Sequence, residues 1–219
     1  MIKLYSVPGT SATVISCALE ELGADYSVVQ VERRNRDNPS EFKKVNPLGR
    51  VGAIDDDGVK VYETGAILLY LGDKFSDKKL APELNTPARA EYYRWIVYLS
   101  NTFHPAYFPF YMPGHYTKDS DAQEEVREVA TKKLIDIFDF IESELSGKEY
   151  LCGQFTLADL YLHMLISPNW TVNLGEEIDK RPNMKALWER VENRPVVQKA
   201  LKIHADDKAK EQAGELKIG

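Results

Sequence analysis

Thr10 and Ser11 are the first residues in this chain whose types and position suggest chemistry. They stand between a short β-like run at residues 3–6, stopped by Val7-Pro8-Gly9, and the first turn of a helix. Backbone N–H groups at such a junction lack partners, and the helix dipole favours an anion. Ser11 fits there as a simple N-cap. Alternatively, its hydroxyl donates a hydrogen bond to a bound thiolate, which favours the charged sulfur and lowers its pKa. Other chemistries fail on spacing. His104, His115, His163 and His204 show no H-E-x-x-H pattern, which argues against a zinc hydrolase. No G-x-x-x-x-G-K-[ST], G-x-G-x-x-G or G-x-S-x-G occurs, so the usual nucleotide-binding and serine-hydrolase signals are missing. Asp55-Asp56-Asp57 precedes Gly58 and reads as a turn rather than a metal cluster. Cys17 and Cys152 are too few for a disulfide framework or a cysteine zinc site, and each reads as a small core residue. No metal is expected.

The elements that would position Thr10 and Ser11 alternate through the first 75 residues. A strand at 3–6 leads to a helix at 10–22, with Val14, Ile15, Ala18, Leu19 and Leu22 at helical spacing and Gly23 as the C-cap. Residues 26–31 form a second strand, and Asn38-Pro39-Ser40-Glu41 starts a short helix ending near Asn46-Pro47. Strands at 51–54 and 59–62 flank the Asp55–Gly58 turn, and residues 64–74 return to helix. The expected order is β-α-β-α-β-β-α. Beyond residue 86 the signals are helical only. A long apolar stripe runs from Val126 to Leu145, Thr156-Leu157-Ala158-Asp159 is a capping-box-like start, and 183–203 holds two helical stretches broken at Arg194-Pro195. The fold class expected is α/β plus all-α: residues 1–76 a small α/β domain, 77–86 a linker, 87–204 a helical domain, and 205–219 a charged, frayed tail.

Composition narrows the function classes. The 219 residues are 43% hydrophobic and 28% charged, ordinary for a globular protein, with a formal net charge of −6 and a pI near 5.4. A nucleic-acid partner would call for a basic excess. No apolar run approaches the length of a membrane span, and Met1-Ile-Lys-Leu-Tyr-Ser lacks the regions of a signal peptide. A cytoplasmic location with neither membrane nor nucleic acid as partner is expected.

Longer runs carry a resemblance. Residues 1–9 (Met-Ile-Lys-Leu-Tyr-Ser-Val-Pro-Gly), Phe42-Lys-Lys-Val-Asn-Pro-Leu-Gly-Arg-Val and Tyr62-Glu-Thr-Gly-Ala-Ile-Leu-Leu-Tyr-Leu resemble the thioredoxin-like N-terminal domain of glutathione S-transferases. Tyr150-Leu-Cys-Gly-Gln-Phe-Thr-Leu-Ala-Asp looks like the signature of their helical C-terminal domain, and the Pro-Gly turn with Trp95…Phe103-His104-Pro105 is most like the bacterial beta class. The resemblance implies that glutathione is the co-substrate, that the 1–76 domain binds it, and that the protein is a homodimer. It places Ser11, with Thr10 beside it, near the glutathione sulfur, where the beta class has a cysteine. It makes Val51 the backbone partner of the cysteinyl part, and Glu63 and Thr64 the acid–hydroxyl pair for the γ-glutamyl end. Arg50 and Arg36 would attract the glycyl carboxylate. His104 would line a hydrophobic-substrate pocket, with Phe108, Phe110, Tyr111 and Tyr116 supplying apolar surface or, equally, plain helix packing.

Two departures from the family pattern bear on function. Relatives carry a cis-proline after the residue matching Val51, whereas this chain has Gly52. A cis bond to glycine costs about 2.5–4 kcal/mol, so a trans, more flexible loop is expected. Ser11 in place of the class cysteine argues against mixed-disulfide chemistry. The implied function is transfer of the glutathione thiolate to a small hydrophobic electrophile such as an epoxide or halide, a detoxification reaction. The alternative is a non-catalytic ligand-binding or protein-interaction module of the same fold.

Overall fold

In the computed structural model, which describes residues 1–32 and 41–218, the first hydrophobic alternation becomes an inner strand of a sheet. β1 (Ile2–Ser6) buries Ile2, Leu4 and Ser6 while Lys3 is exposed, the period of two that a strand imposes. α1 (Ala12–Leu22) follows, closed by Gly23 in the left-handed conformation at φ 63°. β2 (Tyr26–Gln30) returns parallel to β1, with Val28 opposite Leu4. On the other side of β1, β3 (Ala53–Asp56) runs antiparallel with Ile54 opposite Leu4, and β4 (Val59–Tyr62) pairs antiparallel to β3. The order is β2-β1-β3-β4. α2 (Thr64–Lys74) packs with α1, and Ile15, Leu19, Ile67, Leu68 and Leu71 are fully buried. A second cluster joins Val7, Val31, Phe42, Val45 and Ala53, with Tyr5 and Val51 packed against it.

Each acid of the Asp55-Asp56-Asp57 run has a structural partner. Asp55 Oδ1 accepts the Gly58 N–H at 2.8 Å. Buried Asp56 accepts from Tyr70 Oη at 2.6 Å and pairs with Lys74. Asp57 holds the terminal ammonium of Met1 at 2.9 Å. Of the second helix expected in this half, only a turn of 3-10 helix at Glu41–Lys44 falls within the described residues.

The end of the chain departs most from expectation. The chain divides into two compact units, Met1–Glu83 with Val191–Gly219, and Leu84–Arg190. Instead of a frayed tail from 205, α9 (Pro195–Ala213) is continuous helix and belongs to the first unit, packed against α1. Val197, Ala200 and His204 are its buried stripe, at spacings of three and four. Arg194 Nη2 bonds Glu21 at 2.8 Å, Lys199 bonds Glu20 at 2.7 Å and Gln30 bonds Asp207 at 2.7 Å. The charges that suggested fraying form the solvent face, where Lys202–Asp206 (2.7 Å) supports the helix at i,i+4 spacing.

The second unit is helical. α3 (Pro87–Tyr98) starts at Thr86, whose side chain accepts from Arg89 N, and leads through a π-helical turn at Leu99–Phe103 into α4 (His104–Tyr111). α5 (Ala122–Glu144) packs on α4 and carries the predicted stripe Ala130, Leu134, Ile137, Phe138 and Ile141. α6 (Leu157–Leu165) is buried throughout. Asp159 explains its fixed start: one carboxylate oxygen accepts from Thr156 N (2.7 Å) and Oγ1 (2.9 Å), the other from Leu151 N (2.8 Å). Burial pushes the Asp159 carboxyl up to about 6 against these bonds. α7 (Gly175–Asp179) and α8 (Pro182–Glu192) complete the elements. Glu142 on α5 accepts from Asn183 N at 3.0 Å and Met184 N at 2.9 Å, satisfying free donors at the start of α8. Among the described residues no helix is long and apolar enough to cross a membrane.

Candidate active site

In the first unit the sheet and two helix starts bring several of the expected residues into one region. Thr10 and Ser11 close the turn from β1 into α1, where Gly9 at φ 70° supplies the left-handed step. Ser11 precedes the helix but makes no side-chain capping bond, and no acid lies in the first turn of α1. Its hydroxyl instead donates to the Val51 carbonyl at 3.3 Å, which ties two of the predicted site residues together across 40 positions. The Thr10 hydroxyl donates to the Val7 carbonyl at the tighter distance of 2.7 Å. A hydroxyl has one proton to give, so Thr10 is committed to the protein while the longer Ser11 bond is the easier to redirect.

Val51 is held from two further sides. Its side chain rests on the Tyr5–Phe42 cluster. The loop before it is shaped by Asn46, which is 2% exposed. Asn46 Oδ1 accepts from Leu48 N at 3.0 Å and Nδ2 donates to the Arg50 carbonyl at 2.6 Å. Sequence reasoning missed this role, although the Asn46-Pro47 pair signals such a turn. The expectation of a trans bond after Val51 is corrected: the Val51–Gly52 peptide is cis. The surroundings also show why this position is a glycine. Gly52 lies against the first turns of α1, so close that a Cβ there would overlap Ile15 Cδ1 and meet Ala12 Cα at 3.3 Å. Arg50 is exposed at the end of this loop, and Arg36 lies outside the described residues.

Glu63 and Thr64 open α2. Glu63 sits at φ 72° and ψ 120°, a conformation that a non-glycine residue adopts at a cost. Its carbonyl accepts from Ile67 N at 2.9 Å, which fixes the helix start, while its side chain is exposed. Thr64 beside it is 8% exposed. The first turn of α2 contains no acid, so its N–H groups are open to a ligand carboxylate.

In the second unit His104 begins α4 directly after the π-helical turn, a feature found often at functional positions. Its Nδ1 is 2.8 Å from Tyr161 Oη, and its ring stands edge-on to Trp170 with centroids 4.7 Å apart. Burial lowers its pKa to about 4, so the imidazole is neutral near pH 7. The Tyr111 hydroxyl donates to the Trp170 carbonyl, and its ring stacks on Tyr107 at 5.9 Å. Phe108 packs edge-on against His115 and Tyr116 at 5.5 and 6.5 Å. Tyr111 and Tyr116 are exposed, whereas Phe110 is core. Tyr161 and Trp170 were missed by the sequence reading. Tyr161 is hidden in the buried run of α6, and Trp170 lies where no periodicity guides the eye.

A mixed four-stranded sheet with α1 and α2, carrying a polar site at both helix starts, followed by a helical unit with an aromatic surface, defines a class: a thioredoxin-like domain joined to an all-helical one. Residues 1–73 match the family model for the glutathione S-transferase N-terminal domain and residues 99–195 that for the C-terminal domain. The structure of a bacterial beta-class glutathione S-transferase from Sphingomonas chungbukensis is 32% identical, with a TM-score of 0.79, covering 92% of this chain and 98% of that one. A sphingomonad glutathione S-transferase complexed with glutathione is 29% identical, with a TM-score of 0.81, over 93% and 98% of the two chains. The glutathione S-transferase GstA of Escherichia coli O157:H7 is 28% identical over 204 residues, 91% of this chain and 97% of that protein. The chain belongs to the glutathione S-transferase family and is a transferase of that type.

Proposed function

We propose that this protein transfers the sulfur of glutathione to an electrophilic carbon of a small hydrophobic molecule. The observation that carries the reading is the pairing of two prepared sites in one unit. Glu63 is held at the start of α2 in a costly backbone conformation beside the buried Thr64, and the Ser11 hydroxyl is bonded to the backbone of Val51. Glu63 receives the γ-glutamyl ammonium, and Thr64 with the first-turn N–H groups receives the neighbouring carboxylate. The Val51 backbone pairs with the cysteinyl unit, and Arg50 attracts the glycyl carboxylate. On binding, the Ser11 hydroxyl turns from Val51 to the sulfur, while Thr10 stays on Val7 and fixes the turn.

The reaction then needs little covalent help from the protein. The bound thiol loses its proton to solvent, and the thiolate attacks carbon to form a C–S bond. The leaving group departs with its electron pair, or the epoxide C–O bond opens to an alkoxide that takes a proton from water. The protein's part is to stabilise the thiolate and hold the partners in position. The His104, Phe108, Tyr111 and Tyr116 surface, with Trp170, offers the electrophile an apolar face, and the neutral His104 ring adds no charge to it.

Calorimetric titration with glutathione, followed by thiol consumption against a panel of epoxides and activated halides, tests the reading. Binding with turnover of at least one panel member is the expected result. Binding without turnover would make the protein a ligand-binding module, and no binding would remove the proposed site.

A further inference from the structure

The long final helix brings a cation to the turn that precedes Ser11. α9 pairs its start with the C-terminal end of α1, through Arg194–Glu21 and Lys199–Glu20, so the two helices run antiparallel. The buried stripe Val197, Ala200, His204 continues in register to Lys208 and Glu211 at the next helical steps. α9 therefore carries on past the N-terminus of α1. There Lys208 lies over the β1–α1 turn: its Nζ and Cδ are both 3.9 Å from the position a Gly9 Cβ would take. Pro8, Gly9, Lys208, Glu211 and Gln212 line an open pocket of about 320 Å³. Lys208 makes no ion pair among the described residues, unlike Lys199, Lys202 and Lys210 on the same helix.

The two hydroxyls at this turn do not offer a full set of donors to a bound anion. Thr10 is committed to the Val7 carbonyl, and Ser11 has a single proton that it now gives to Val51. A negative charge formed beside them has one hydroxyl donor at most, and among the described residues Lys208 is a cation without an ion-pair partner at the same turn. We propose that Lys208 is a positioning residue for the glutathione thiolate, with its ammonium acting across the Gly9 turn on the anion held at the start of α1. The inference rests on the reading that glutathione binds at Ser11. It gives the C-terminal helix a role in the chemistry of the first unit.

The test is ultraviolet titration of the thiolate band of bound glutathione in the full chain, for wild type, Lys208→Gln and Lys208→Arg. Glutathione affinity is measured alongside by calorimetry. Lys208 is exposed, so neither substitution should disturb folding. Loss of an exposed, solvent-screened cation should leave up to about threefold less thiolate at pH 6.5 in Lys208→Gln, with the deficit vanishing by pH 10. Lys208→Arg should restore the wild-type curve, which a merely structural role for the side chain would not require. Superimposable curves for wild type and Lys208→Gln, or a failure of Lys208→Arg to restore the thiolate, would overturn the assignment while leaving glutathione binding intact. Absence of glutathione binding to the wild type would instead remove the site itself, and the role of Lys208 with it.

Discussion

Replacing Gly52 by alanine probes how closely the loop carrying Val51 is fitted to α1. The added Cβ would overlap Ile15 Cδ1, on a side chain with no exposure, and would stand 3.3 Å from Ala12 Cα. Carbon atoms attract best at about 3.5–4.0 Å, so the first contact is repulsive and the second slightly tight. Overpacking of this kind destabilises by about 1–3 kcal/mol. Ile15→Val removes Cδ1 and alone costs about 0.5–1.5 kcal/mol. In the double variant the new Cβ occupies the space that Cδ1 vacated, so the two effects should cancel in part, with a coupling of about 1–2 kcal/mol in favour of the pair. Urea denaturation of the four proteins gives the cycle, and glutathione affinity gives a second readout, since a displaced Val51 backbone pairs less well with the ligand. Strict additivity, within about 0.3–0.5 kcal/mol, would refute the steric account.

Three more outcomes are expected. Glu63→Ala should weaken glutathione binding by about 1.5–3 kcal/mol, because the ligand ammonium loses a charge-assisted hydrogen bond; unchanged affinity in calorimetry would reject the assignment. Ser11→Ala should raise the thiol pKa of bound glutathione by at most about one to two units, one charge-assisted hydrogen bond contributing about 1.5–3 kcal/mol; an unmoved thiolate titration would reduce Ser11 to a residue that merely secures Val51. The third concerns acid. Both ring nitrogens of buried His204 lack a hydrogen-bond partner, and burial, opposed by the nearby Asp207 charge, lowers its pKa to about 4. The unfolded chain binds that proton near pH 6.5, so the stability contribution is whole above about 6.5 and is lost as pH falls to about 4, up to about 3 kcal/mol. His104 acts in the same direction, while Asp159, raised to about 6, acts in the opposite one. His204→Leu should flatten the dependence of the urea midpoint on pH between 4 and 6.5; an unaltered slope would show that His204 is not the group responsible.

The sequence revealed those parts of the molecule whose cause is local. Leu4 and Val28 sit in strands because their runs alternate and are β-rich, and Thr156 with Asp159 announced α6 because a capping pair needs only four residues. Ser11 was singled out by its place between strand and helix, and Glu63, Thr64 and Val51 by motif resemblance, yet the Ser11–Val51 bond joins residues 40 apart and no local pattern encodes it. The fit of Gly52 depends on how closely Ala12 and Ile15 approach, which is a property of packing. Trp170 meets His104 only after the helices of its unit have assembled. The last helix was misread for a physical reason as well. Its buried stripe is thin, Val197, Ala200 and His204, and the lysines and acids around it resemble a solvated tail.

The return of α9 to α1 also sets an order of events during synthesis. The first unit consists of Met1–Glu83 and Val191–Gly219, so its two parts leave the ribosome separated by the whole of Leu84–Arg190. Domains usually fold as they emerge. Here the helical unit is complete in the nascent chain before the sheet unit has its last helix. Until then α1 lacks the helix that covers it, and Glu20 and Glu21 lack Lys199 and Arg194. A chain released before α9 has emerged would therefore carry the helical unit joined to a sheet unit whose α1 flank is still open to chaperones and proteases.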